Sequence, residues 1–113
     1  MHEMSLCEAV LAVLQQQAGQ QNYKRVKTVF LEIGALAGVE VEALRFSFEV
    51  VVQGTLAEQA RLEIIQVPGS AWCLACGQAV EVQKLYDACP ECGSFQLQIS
   101  DGQQMRIKEL EVE

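Results

Sequence analysis

Four of the five cysteines stand as two Cys-x2-Cys pairs, Cys73/Cys76 and Cys89/Cys92, with twelve residues between them. Two intervening residues let a tight turn aim both thiolates of a pair at one point. A second pair completes a tetrahedral shell of the kind Zn(II) takes, with sulfurs about 2.3 Å from the metal. Gly77 and Gly93 follow the second cysteine of each pair, where such a knuckle favours positive φ. A short segment with few large apolar residues needs the metal in order to fold. Four thiolates leave no open position for water or substrate, so the predicted Zn(II) is structural. Between Cys73 and Cys92 the charges are Glu81, Asp87 and Glu91 against Lys84, which opposes nucleic-acid binding. A thiol-disulfide switch would want one redox pair at a helix N-terminus, not two facing pairs.

Pro68-Gly69-Ser70 opens this module and Asp101-Gly102 closes it. The pattern around it is that of an α+β domain. Ser5 followed by Glu8 reads as a capping box. Leu6, Val10, Val13 and Leu14 then recur at helical spacing until Gly19 offers a stop, leaving the first four residues ahead of the helix. Lys24 to Ile33 has strand character, and Gly34 and Gly38 bound a turn. From Glu40, the residues Val41, Leu44, Phe48 and Val51 follow a helical period that Gly54 can end. Ala60 to Val67 reads as a second strand. Gln104 to Val112 reads as a third, whose apolar phase shifts between Ile107 and Leu110 as a bulge near Lys108 would make it. The expected organisation is an α+β domain of residues 1–67 and 103–113 interrupted by a zinc module of residues 68–102.

Net charge is -7 over 113 residues, half of them apolar, so the chain can bury a core but lacks the clustered cations that bind a phosphate backbone. No run approaches the roughly 20 apolar residues that cross a bilayer. The first eight residues lack the cationic and apolar segments of a secretion signal, so the expected location is cytoplasmic. Gly34 to Gly38 lacks the Lys and Ser/Thr of a phosphate-binding loop. The only histidine is His2, which leaves no Ser-His-Asp or Cys-His nucleophile, and no enzyme is expected.

His2 has a chemistry of its own. The Met1 amine and the His2 amide nitrogen can close a five-membered chelate ring, and the imidazole Nδ1 closes a six-membered ring with that same amide. The Glu3 amide nitrogen or carboxylate supplies a further ligand. Nitrogen-rich tetragonal sets of this kind suit Ni(II) and Cu(II). The bulk of His2 also hinders removal of Met1. The plainer alternative is a solvated terminus. Elsewhere, Cys7 reads as a small buried residue, and Lys24, Arg25 and Lys27 as a solvated strand end. Trp72 reads as cover for the zinc module, and Glu40 and Glu42 as carboxylates at a helix start.

Met1-His2-Glu3-Met4-Ser5-Leu6, the Gly34 to Gly38 turn with Val39 and Glu40, the stretch Leu44 to Glu49 and the two cysteine knuckles together resemble the HypA/HybF hydrogenase maturation nickel chaperones. The resemblance runs from end to end. It implies two helices packed on a three-stranded sheet, with the zinc module inserted before the last strand. It further implies reversible Ni(II) binding at Met1, His2 and Glu3, and Zn(II) held by Cys73, Cys76, Cys89 and Cys92. The implied partners are a nickel-handling GTPase, the precursor of the [NiFe] hydrogenase large subunit and, in some organisms, urease maturation proteins. Two other functions compete with this one: a zinc-ribbon adaptor in which His2 is incidental, and a redox-responsive thiol protein.

Overall fold

The computed structural model describes residues 3–113. Its elements run α1 (Glu3–Gln21), β1 (Val26–Gly34), α2 (Val41–Val51), β2 (Arg61–Val67), β3 (Gly69–Cys73), β4 (Gln78–Val82), β5 (Leu97–Asp101) and β6 (Met105–Val112). The strands form two three-stranded sheets, β2-β1-β6 and β4-β3-β5. The chain divides into two compact units. One comprises the residues up to Leu31, Val39–Ile64 and Ile107–Glu113; the other comprises Glu32–Gly38 and Ile65–Arg106. The class is α+β, with two helices as expected and one sheet more than expected.

In the first unit, α1 and α2 pack together. Cys7, Val10 and Leu14 recur at helical spacing on the buried side of α1, and Leu44 and Phe48 do so on α2. The Cys7 thiol donates to the Leu44 carbonyl at 3.5 Å, and the Tyr23 hydroxyl donates to the Leu14 carbonyl at 2.8 Å.

Both expected limits of α1 need correction. Glu3 and Met4 are already helical, so Ser5 lies inside the first turn and not at its cap. Glu and Met are good helix formers, and an acidic residue at a helix N-terminus is favoured by the macrodipole. At the other end, Gly19 does not stop the helix. Asn22 does, by adopting φ 60 and donating its N–H to the Ala18 carbonyl at 3.0 Å. Asparagine is a common left-handed terminator, whereas glycine within a helix costs only about 1 kcal/mol. The second helix starts as expected: Glu40 is the N-cap of α2, and its carboxylate accepts the Glu42 N–H at 3.4 Å.

Backbone hydrogen bonds fix the directions in the first sheet. Arg25 and Glu113 exchange N–H groups and carbonyls, and Gly34 donates to Gln104, so β6 runs antiparallel to β1. Val26 donates to Leu56 and Ala35 to Val67, so β2 runs parallel to β1. A parallel pair needs a long crossover connection, which α2 provides. The expected phase shift in β6 is present as two adjacent exposed residues, Lys108 and Glu109, between half-buried Ile107 and Leu110.

The second sheet belongs to the second unit. β3 lies in its middle, antiparallel to both neighbours, with Ala71 opposite Val80 and Ile99. Ala71, Cys73, Val80 and Val82 form a small buried cluster with Cys89 and with Leu36 from the turn after β1. Three backbones meet here without room for a side chain. A Cβ on Gly34 would fall 2.0 Å from the Gly102 carbonyl oxygen, and one on Gly69 would fall 2.4 Å from the Val82 oxygen. Gly102 adds φ +92, which disfavours any other residue. Gly34→Ala must therefore force main chain apart, and a loss of at least roughly 1–3 kcal/mol is expected. Gly19→Ala, where a Cβ meets nothing within 4 Å, should be neutral or stabilising. Urea unfolding of both variants checks this; equal midpoints would contradict the close approach.

Candidate metal centre

Each cysteine knuckle closes the same way. The Gly77 N–H donates to the Cys73 carbonyl and the Gly93 N–H to the Cys89 carbonyl, both at 2.8 Å. Gly77 and Gly93 take φ +67 and +78, the conformation the sequence anticipates at these two positions. The Leu74 N–H donates to the Gln96 carbonyl at 2.9 Å, tying the first knuckle to the segment that follows the second.

These turns gather the four Sγ atoms within 4.8 Å of one another. Across the knuckles, Cys73 and Cys92 approach to 3.6 Å and Cys76 and Cys89 to 3.8 Å, with every cysteine a free thiol. A tetrahedron of sulfurs about 2.3 Å from its centre has edges of about 3.8 Å, so the cluster has the size of a Zn(II) thiolate shell. Cys73 and Cys89 are buried, Cys76 is half-buried and Cys92 is exposed.

The protons of the cluster are unevenly held. The backbone N–H of Cys76 and bonds from neighbouring thiols bring Cys73 down to about 7. Cys76 is pushed up to about 12, chiefly by its bond to Cys73 and then by burial. For Cys92 the Ser94 N–H acts downward, but burial and the Cys73 thiol outweigh it and the value rises. A set of thiols that ionise so unequally becomes a tetrathiolate only when a cation compensates the charge. In size, donor type and closure the cluster is suited to structural zinc, and among the described residues it is the group able to hold a metal ion.

Of the three residues proposed for nickel, Met1 and His2 lie outside the described residues. Glu3 stands in the first turn of α1, and its carboxylate accepts the Glu40 N–H at 3.3 Å. The starts of α1 and α2 thus meet at Glu3 and Glu40. Sequence reading assigned Glu40 to a helix start but gave no signal of its bond to Glu3, which spans 37 positions.

The remaining candidates resolve simply. Cys7 is buried, and burial together with the Glu3 carboxylate pushes its thiol up to about 11, so it is a packed thiol. Arg25 pairs with Glu113, both half-exposed, as a solvated strand end would. Trp72 does not cover the module; it points outward from β3, because alternation turns Ala71 and Cys73 inward. In the turn between Gly34 and Gly38, the N–H groups of Ala35, Leu36 and Ala37 donate to Val67, Gly102 and Gly34. None of those three is left to cradle a phosphate. No helix among the described residues is long and apolar enough to cross a membrane.

The chain matches the family model described as hydrogenase/urease nickel incorporation metallochaperone, hypA, over residues 1–112. It is 58% identical to the hydrogenase maturation factor HypA of Azotobacter chroococcum mcd 1 and 55% identical to that of Azotobacter vinelandii, in each case over 100% of both chains. The HypA of Acidithiobacillus ferrooxidans is also 58% identical over the full length of both. In fold, the chain is similar to the solution structure of the Ni metallochaperone HypA from Helicobacter pylori. The TM-score is 0.71 at 24% identity, covering 99% of this chain and 97% of that one. With the family model matched across the whole zinc cluster and the Met-His-Glu start, the chain belongs to the HypA family of nickel-incorporation metallochaperones.

Proposed function

We propose that this chain binds Ni(II) reversibly through Met1, His2 and Glu3. It passes the metal, with a nickel-handling GTPase, to the large-subunit precursor of a [NiFe] hydrogenase in the cytoplasm. Cys73, Cys76, Cys89 and Cys92 hold Zn(II), which folds residues 68–102 as a separate module. The observation that carries this reading is the family match, which includes both the Met-His-Glu segment and all four cysteines. Hydrogenase is the preferred client over urease because the matched relatives are hydrogenase maturation factors.

The chemistry at the start of α1 supports the nickel assignment. A square-planar nickel set draws on backbone amide nitrogens as well as the imidazole. The first N–H groups of an α-helix have no acceptor within the helix, so the Glu3 amide can serve a metal at no cost to α1. The bond from Glu40 to the Glu3 carboxylate orients that side chain and limits its freedom. Nickel is cargo here, and a cargo site must release as well as bind. A set of nitrogen donors from residues 1–3 suits release as well as binding, whereas a closed shell of four thiolates does not.

A metallochaperone performs no turnover of its own, and energy for delivery must come from the GTPase. The purified chain should hydrolyse neither GTP nor ATP; robust turnover abolished by one of its own substitutions would contradict that.

Native mass spectrometry of the untagged chain with added nickel should find one zinc and one nickel. Zinc alone would favour an adaptor, and neither metal with oxidised cysteines would favour a redox switch. Cys92→Ser should lose zinc and disorder the module while nickel binding persists, because three thiolates leave the shell incomplete. A folded, zinc-replete Cys92→Ser protein would contradict the four-cysteine assignment. Zinc loading should also release protons, since the Cys76 thiol stands at about 12 without metal. Zinc affinity should therefore fall as pH falls, which competition with a chromophoric chelator at two pH values measures.

A further inference from the structure

α2 carries large apolar residues on both of its sides. Leu44, Ser47 and Phe48 are its buried positions. Each residue turns a helix by about 100°, so Phe46 points away from all three, and it is 67% exposed. Val50 stands one turn later and is 42% exposed. Ala43, half-buried, stands one turn earlier. Residues three and four apart on a helix are surface neighbours, so Ala43, Phe46 and Val50 form one apolar ridge on the outer side.

Carboxylates run along one edge of this ridge. Glu42 and Glu49 are both exposed and stand seven residues apart. That spacing puts them on the same edge, two turns and about 10 Å apart along the axis. The one cation of α2, Arg45, falls between them in sequence. Its guanidinium is turned instead to β2, where it donates to the Leu62 carbonyl at 2.8 Å. Among the described residues neither Glu42 nor Glu49 belongs to an ion pair. The packing of α2 is supplied by Leu44 and Phe48 and does not call for an aromatic ring on the opposite side. A phenylalanine set in water beside a valine, with free charges at their edge, is a mark of an interaction site.

We propose that the outer side of α2 docks an amphipathic helix of a partner protein. The apolar stripe of that helix covers Phe46 and Val50, and its Lys or Arg residues, about two turns apart, meet Glu42 and Glu49. The net charge of -7 steers a cationic partner toward the molecule. A second copy of this chain does not match the surface. Its α1 has no Lys or Arg, and its α2 has only Arg45, which is held by Leu62. The docking side is formed in advance: α2 is capped at Glu40 and packed on α1, so the entropy lost on binding falls on the partner alone.

The probe is a fluorescein-labelled helical peptide of about four turns, with a Leu stripe at helical spacing edged by two Lys seven residues apart. Two counterparts serve as controls, one with Glu for Lys and one with the same residues shuffled so that the stripe is broken. The zinc-loaded full chain should raise the anisotropy of the first peptide saturably and leave the controls unbound. Phe46→Ala with Val50→Ala should weaken binding at least tenfold, and alanine keeps α2 helical. Glu42→Gln with Glu49→Gln should weaken it several-fold and flatten its salt dependence. Circular dichroism and zinc content verify that each variant is folded. No binding, equal affinity for either control, or full affinity in the Phe46→Ala, Val50→Ala protein would overturn the proposal. So would self-association in the ultracentrifuge that Phe46→Ala removes, which would identify a second copy as the occupant.

Discussion

Two of the six buried residues in the apolar cluster of the second sheet, Cys73 and Cys89, are themselves sulfur donors of the four-cysteine cluster. The other four are Leu36, Ala71, Val80 and Val82, with half-buried Leu97 and Ile99 packed against them, a small apolar core for three five-residue strands. A cation held by the four sulfurs adds to this small core the cross-links that apolar packing supplies elsewhere. Without one, the unequal ionisation of Cys73 and Cys76 leaves protons where bonds to a metal would stand. Zinc in a shell of this kind stabilises the fold directly, because unfolding must either release the metal or leave it on a disordered chain.

The first unit is organised on ordinary apolar packing. Its buried face joins α1 to α2 through Cys7, Leu14, Leu44 and Phe48, and α2 is also the crossover between parallel β1 and β2. The consequence for function lies at the helix starts. The N-cap of α2 comes to the first turn of α1, where the Glu40 N–H holds the Glu3 carboxylate. Of the residues proposed for nickel, Glu3 thus has its side chain tied to a packed scaffold. Under the proposed function, nickel as cargo and zinc as structure call on different donors, nitrogen at residues 1–3 and the four thiolates.

Much of this was legible in the sequence because it depends on local spacing. The two knuckles, positive φ at Gly77 and Gly93, the strands β1, β2 and β6 and the start of α2 at Glu40 all follow from neighbours within a few residues. What was not legible depends on distant partners or on competition between signals. The capping pattern at Ser5 lost to helix propensity and acidic charge at Glu3 and Met4, and Asn22 outdid Gly19 as a terminator. Strands β3, β4 and β5 have five residues each and few apolar side chains, so alternation had little to work on. Leu36 joins the cysteine core from a turn far earlier in the chain, and Gly34, Gly69 and Gly102 meet although widely separated. No periodicity encodes such meetings.

In the proposed function, nickel is gripped by nitrogen atoms at residues 1–3. The direct measurement is calorimetric titration of Ni(II) into the untagged chain, into His2→Ala and into a chain extended by one residue before Met1, at two pH values. Affinity of the unaltered chain should fall as pH drops through about 8 and about 6.5, where the amine and imidazole take up protons. His2→Ala should lose binding altogether, and the extended chain should bind markedly more weakly, while both keep their zinc. Nickel affinity in His2→Ala equal to that of the unaltered chain would contradict the site.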